Sequence, residues 1–194
     1  MESVIKTDLS ELVLHELDPE IYEMLPGIIE DIREKLTVHP KIKIFGKVAH
    51  QRRSVGFFSN ESVGYKYSGQ IMGSTELTGE LIYLMEYINS KFNSNYNGIL
   101  VNYYSSGEEY IGKHSDDEKM LQKDAGVCSI SFGAIRKFRI RDKKTSKIIL
   151  DCPTDPTKII QMRGDFQKEF THELPIEKKV KEGRYSFTFR THDT

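Results

Sequence analysis

Six short runs rich in β-branched and aromatic residues, each bounded by polar turns, limit what the second half of this chain can become. They fall at residues 99–104, 127–132, 138–141, 147–150, 158–162 and 185–190. Such composition suits half-buried pleated strands rather than helices. Ahead of them the period changes. After Asp18-Pro19, an N-cap and first-turn pair, apolar residues recur at Ile21, Leu25, Ile28, Ile29, Ile32 and Leu36, with Pro26 expected to break or kink the helix. A second helix is predicted from Ser74-Thr75-Glu76-Leu77, with Leu77, Leu81, Leu84, Met85, Ile88 and Phe92 on one face. Between the helices, residues 41–69 read as strands around Ile42 and Ile44, Val55, Phe57 and Phe58, then Tyr65 and Tyr67. Regular short strands behind a helical N-terminal part predict an α+β, mainly β domain: a double-sheet jelly roll buttressed by helices. One domain is expected over 1–194, helical in 1–40, with hairpins in 41–70 and the jelly roll in 98–191.

The 194 residues suffice for one sizeable core, and 38% hydrophobic with 29% charged content is ordinary for a globular chain. No stretch approaches the ~20 apolar residues of a membrane span. The N-terminus lacks the basic and apolar regions of a signal peptide. Cys128 and Cys152 form neither a disulfide framework nor metal-type spacing. An intracellular, reduced, monomeric protein is expected, and Asn60-Glu61-Ser62 then reads as a chance glycosylation match. The net charge of −1 alone argues against nucleic acid, but its distribution does not. Residues 1–34 carry ten acids against two bases, whereas residues 35–60 hold Lys35, Lys41, Lys43, Lys47, Arg52 and Arg53 with no acid. A second basic run spans Arg136, Lys137, Arg139, Arg141, Lys143, Lys144 and Lys147. Local basic patches beside aromatics bind phosphates whatever the global charge, although solvated hairpins would look the same.

The chemistry gathers around His114-Ser115-Asp116 and His172. On an extended segment side chains alternate, so His114 and Asp116 share one side and can address one ion. His172 lies in an apolar setting, between Phe170 and Leu174-Pro175. Two histidines and a carboxylate are the facial triad of Fe(II) oxygenases, yet zinc accepts the same ligands. Arg184 and Arg190, six apart on one strand, face the same way with Ser186 and Thr188. Either this is a solvated edge, or it is a pocket for an organic acid gripped by guanidinium forks. Iron is preferred to zinc only because the arginines imply a second, bidentate ligand.

Asn102-Tyr103-Tyr104, the run Ile111 to Glu118, Ser129-Ile130-Ser131-Phe132-Gly133, His172 and Arg184 to Arg190 together resemble the AlkB family of Fe(II)- and 2-oxoglutarate-dependent dioxygenases, over roughly residues 40 to 191. The likeness runs most to animal members that repair double-stranded DNA. It implies His114, Asp116 and His172 as iron ligands. Asn102, Tyr104, Arg184, Ser186, Thr188 and Arg190 would line the 2-oxoglutarate site, with O₂ as the other co-substrate. Ser186 departs from the family's usual asparagine and has shorter reach.

The resemblance also implies a nucleotide-recognition lid. Ile44-Phe45-Gly46-Lys47 is similar to a finger that enters the duplex where the damaged base was, although core-strand residues would read the same way. Tyr65 and Tyr67 would meet the flipped base, with Tyr67 sandwiching it against His114. Asp117 and Glu118 would favour cationic lesions, and Arg53 would contact the DNA backbone. The implied activity is oxidative demethylation of 1-methyladenine and 3-methylcytosine in DNA, releasing formaldehyde, succinate and CO₂. An RNA demethylase on the same core and a non-catalytic nucleic-acid-binding protein are the alternatives.

Overall fold

The structure is a computed structural model and describes residues 1–117 and 126–193. The chain opens with β1 (Glu2–Lys6) and β2 (Ser10–Glu16), then α1 (Pro19–Ile32) and a 3-10 turn (Arg33–Lys35). β3 (Thr37–Val38), β4 (Lys41–Ile44), β5 (Lys47–His50), β6 (Ser54–Phe58), β7 (Gly64–Tyr67) and β8 (Gln70–Gly73) lead to α2 (Gly79–Phe92). Then follow β9 (Gly98–Tyr104), β10 (Ile111–His114), β11 (Val127–Gly133), β12 (Lys137–Asp142), β13 (Ile148–Pro153) and β14 (Lys158–Gly164). A one-turn α3 (Phe166–Glu169), β15 (Phe170–Leu174) and β16 (Arg184–Arg190) complete it.

Two sheets face each other. The major one runs β1-β2-β14-β11-β16-β9-β6-β3 and the minor one β10-β15-β12-β13. From β9 onward the chain passes back and forth between them, and this is the expected jelly roll. The helices cover the outer face of the major sheet. Ile21, Leu25, Ile28, Leu81, Leu84 and Ile88 pack there against Ile99, Val101, Cys128, Ile130, Phe187 and Phe189.

Three expectations need correction. The first sixteen residues are not helical: β1 and β2 form a hairpin, and β2 pairs along β14 from Lys158↔Glu16 to Gly164↔Ser10. Leu12 and Val13 are both fully buried, as suits a strand covered on both faces. Pro26 does not break α1, which continues to Ile32. Interior proline costs about 3 kcal/mol, and burying five apolar side chains at about 1.5–3 kcal/mol each more than offsets that. The second helix starts later than expected, where the Thr78 side chain accepts the backbone N–H of Leu81.

The stretch 41–70 is also less uniform than expected. β4–β5 and β7–β8 are separate two-stranded hairpins, but β6 between them is buried throughout and belongs to the major sheet beside β9. Among the described residues no helix is long and apolar enough to cross a membrane. Cys128 and Cys152 are buried free thiols.

Candidate active site

Strand alternation on β16 builds one wall of the site. Phe187 and Phe189 enter the helix-side core, whereas Arg184, Ser186, Thr188 and Arg190 face the minor sheet. β16 lies between β11 and β9, so it is no solvated edge. β9 adds Leu100, Asn102 and Tyr104 to the same face, and β11 adds Ser129. From the minor sheet come Ile111, His114, Phe138, His172 and Leu174, and with Asp116 they line a single inter-sheet cavity.

β10 and β15 pair so that His114 lies opposite His172, with ring centroids 4.4 Å apart. The Asp116 carboxylate sits 3.8 Å from His114 Nε2 and 3.4 Å from His172 Nε2. Ligand atoms of all three residues lie within 4.8 Å of one another. Local hydrogen bonds aim them. His114 Nδ1 is 2.8 Å from the Gly112 carbonyl, which can only accept, so Nδ1 carries the proton and Nε2 presents its lone pair. Burial, with His172 beside it, pushes the His114 imidazole down to about 3, which keeps it neutral. Burial opposes ionisation of Asp116, but the Arg190 guanidinium and the two imidazoles outweigh it and hold the carboxyl well below the usual range. A neutral His114 imidazole beside an ionised Asp116 carboxylate is the donor state a divalent cation requires.

The two arginines differ. Arg190 Nη2 donates to Asp116 Oδ1 at 2.7 Å, and both side chains are only 2% exposed. Arg190 thus fixes the carboxylate as well as lining the cavity. Arg184 is equally buried, yet among the described residues it makes no ion pair. Its Nη2 donates to Ser131 Oγ at 2.8 Å, and its Nε has no partner. Burial lowers it to about 10. A buried guanidinium without a counter-ion is costly, and a cavity that aims one inward fits an anionic ligand such as a dicarboxylate. Nearby, Asn102 Nδ2 donates to Ser186 Oγ at 3.4 Å while Asn102 Oδ1 is unpaired.

A second, open cleft of about 550 Å³ adjoins the cavity, lined by Tyr65, Tyr67, His114, Ser115 and Asp117 among others. Glu118 lies outside the described residues. The expected sandwich of Tyr67 and His114 is not preformed: the rings stand edge to face, 5.8 Å apart at 88°. A base between parallel rings needs about 7 Å, two van der Waals contacts of about 3.5 Å. Each ring is held elsewhere, Tyr67 by the Arg53 guanidinium at 4.8 Å and His114 by His172. Arg53 itself is 1% exposed, so its placement against a DNA backbone is corrected: it lies beneath Tyr67. Tyr65 is buried, stacked beside Tyr67 and 5.0 Å from the Arg190 guanidinium.

Phe45 and Gly46 form the two-residue turn of the β4–β5 hairpin, between the paired Ile44 and Lys47. Phe45 is completely exposed and Ile44 is 45% exposed, which removes the core-strand alternative. The arginines of the second basic run are neutralised. Arg139 is bidentate with Asp151, Arg141 pairs with Glu173, and Arg136 pairs with Glu177.

Sequence reasoning missed Gln167, whose Oε1 accepts the Asp116 backbone N–H at 2.8 Å, and Ser115, whose Oγ donates to the Phe170 carbonyl. Both fix the loop that carries Asp116. Neither had a sequence signal, since their partners are brought close only by the fold.

A model of the 2OG-Fe(II) oxygenase superfamily matches residues 27–190. The DNA oxidative demethylase ALKBH2 of Homo sapiens is 26% identical over 178 residues, covering 88% of this chain and 67% of that protein. The alpha-ketoglutarate-dependent dioxygenase alkB homolog 3 of Bos taurus is 31% identical over 119 residues, 57% of this chain and 42% of that one. The chain spans about two thirds of the length of the ALKBH2 relatives it matches in human, cattle and mouse. Among solved structures, OsALKBH1 superposes with a TM-score of 0.58 over 93% of this chain and 97% of its own, at 14% identity, which supports the fold. A matched superfamily model over most of the chain, AlkB-type relatives and an inter-sheet His-Asp-His cluster facing an arginine with no counter-ion among the described residues agree: this chain belongs to the 2OG-Fe(II) oxygenase superfamily and, within it, to the AlkB family.

Proposed function

We propose that the chain is an oxidative demethylase of N-alkylated bases in DNA, acting on 1-methyladenine and 3-methylcytosine and preferring duplex. The observation that carries the duplex preference is Phe45. Its φ is 47° and that of Gly46 is 78°, the pairing of positive angles that two-residue hairpins use. Glycine and asparagine suit such positions, whereas phenylalanine costs about 1–2 kcal/mol there and gains no burial. Strain held at an exposed aromatic is a mark of function. A rigid apolar wedge between Lys43 and Lys47 suits insertion into a base stack, with the lysines against phosphates.

When bound, Fe(II) with 2-oxoglutarate and O₂ supplies the oxidation of the N-methyl carbon. In this reading His114, Asp116 and His172 hold the iron, and Arg184 holds the far carboxylate of 2-oxoglutarate. Asn102, Tyr104, Ser186 and Thr188 shape the rest of that cavity, and Arg190 keeps Asp116 oriented. The flipped base enters the open cleft past Tyr67, and Asp117 there offers a negative charge to a cationic lesion. Tyr65 closes the cavity between base and co-substrate and excludes water. The substrate places this work in the compartment that holds the DNA.

Phe45→Ala is expected to lower demethylation of a methylated duplex at least about tenfold, a modest loss of about 1.4 kcal/mol, with little change on the same strand unpaired. Steady-state assays on both oligonucleotides check this. Equal losses on the two substrates would remove the finger, and no demethylation by the wild type beside intact 2-oxoglutarate turnover would remove the substrate class.

A further inference from the structure

The open cleft beside His114 has a charge pattern that neither the metal nor the base explains. Of the described charged residues lining it, three are lysines, Lys66, Lys113 and Lys143, and one is an acid, Asp117. All four are exposed, so their heads meet solvent at the cleft mouth. They arrive from opposite sides. Lys66 stands on β7 of the recognition hairpin, whereas Lys113 is on β10 and Lys143 follows β12 in the minor sheet.

Two of the three are held in place. Lys113 Nζ donates to Ser146 Oγ at 3.0 Å. Lys143 Nζ donates to the Gln167 carbonyl at 2.9 Å and lies 3.5 Å from Asp117 Oδ2. Asp117 therefore neutralises Lys143 in part, and among the described residues no carboxylate pairs with Lys66 or Lys113. Unlike Arg139 and Arg141, which have carboxylates on neighbouring strands, these lysines ring a concave surface. Like charges there repel one another, and an anion bridging them relieves that cost.

We propose that Lys66 on one wall, and Lys113 with Lys143 on the other, grip the two phosphodiester groups flanking a nucleotide that enters the cleft base-first. This rests on the nucleic-acid reading above and adds a backbone site distinct from Lys43 and Lys47 at the finger. A base inserted between the walls necessarily brings its 5′ and 3′ phosphates to opposite rims. Cations on both rims then hold the nucleotide at the correct depth over His114, whether the strand came from a duplex or was already single.

The test is binding of a fluorescent trinucleotide with a central N-methylated base, compared with the same trinucleotide carrying uncharged methylphosphonate linkages. The wild type is expected to bind the charged form at least about tenfold more tightly. A Lys66→Gln, Lys113→Gln, Lys143→Gln variant should lose that preference, and its salt dependence should flatten by roughly 0.7 in slope for each phosphate no longer neutralised. The corresponding triple arginine variant should retain the preference, which separates the effect of charge from that of structure. Equal wild-type affinity for the two trinucleotides, or a preference that survives in the glutamine variant, would overturn the proposal. A wild-type preference without demethylation of the bound trinucleotide would instead refute the demethylase reading and leave the phosphate grip standing.

Discussion

His114→Ala should abolish 2-oxoglutarate turnover, by well over the ~100-fold that loss of even an outer-shell partner of a metal ligand costs, while the fold survives. The side chain is 15% exposed, its ring sits at the junction of cavity and cleft, and among the described residues it hydrogen-bonds the nearby Gly112 carbonyl. Removing it strands no charge. Asp116→Ala should be equally inactive but for two reasons at once. It deletes a ligand and also leaves Arg190 buried without its carboxylate. Breaking such a pair costs about 3–5 kcal/mol, which for a chain of this size lowers Tm by on the order of 10 °C. The paired measurement is Fe(II) binding by calorimetry with thermal unfolding of the metal-free proteins. A His114→Ala protein that binds Fe(II) normally and still forms succinate would overturn the triad, and an Asp116→Ala protein as stable as wild type would overturn the account of Arg190.

Arg184→Met is expected to separate stability from function in the opposite sense. Truncating one partner of a buried, hydrogen-bonded charge pair costs about 2–5 kcal/mol, so KM for 2-oxoglutarate should rise by roughly thirtyfold or more. Yet in the ligand-free protein Arg184 has no counter-ion among the described residues, and an apolar side chain of similar length relieves an uncompensated cation. The variant alone should melt at the same temperature as wild type or higher. The stabilisation that wild type gains from 2-oxoglutarate, which scales with ligand concentration over Kd, should disappear. Thermal scans with and without 2-oxoglutarate read both effects. A variant that keeps the full ligand-induced shift would mean another residue carries the carboxylate.

The parts legible in the sequence are those where one strand or helix holds the whole pattern. Arg184, Ser186, Thr188 and Arg190 alternate on one strand, and period two alone places them on one face. Helical spacing likewise placed Ile21 to Ile32 and Leu81 to Ile88 on inward faces. What stayed hidden depends on partners distant in sequence. Arg139 and Arg141 look like a phosphate patch until the fold brings Asp151 and Glu173 beside them. Arg53, inside a run of six uncompensated bases, reads as solvent-facing, yet it is buried under Tyr67. The β1–β2 hairpin escaped notice because Leu12, Val13 and Leu14 form too short an apolar run to separate strand from helix. Its acidic surroundings added to the ambiguity.

The two hairpins, β4–β5 and β7–β8, stand outside both large sheets, and of their apolar side chains only Ile42 and Tyr65 are buried. Their tips can therefore change sequence, length or chemistry with little effect on the sandwich that holds the ligands. A graft exchanging residues 44–47 for another loop that keeps the hairpin register should fold as this chain does. Under the finger role proposed for Phe45, selection or a protein engineer can alter what the chain engages by editing four residues, without touching the sandwich.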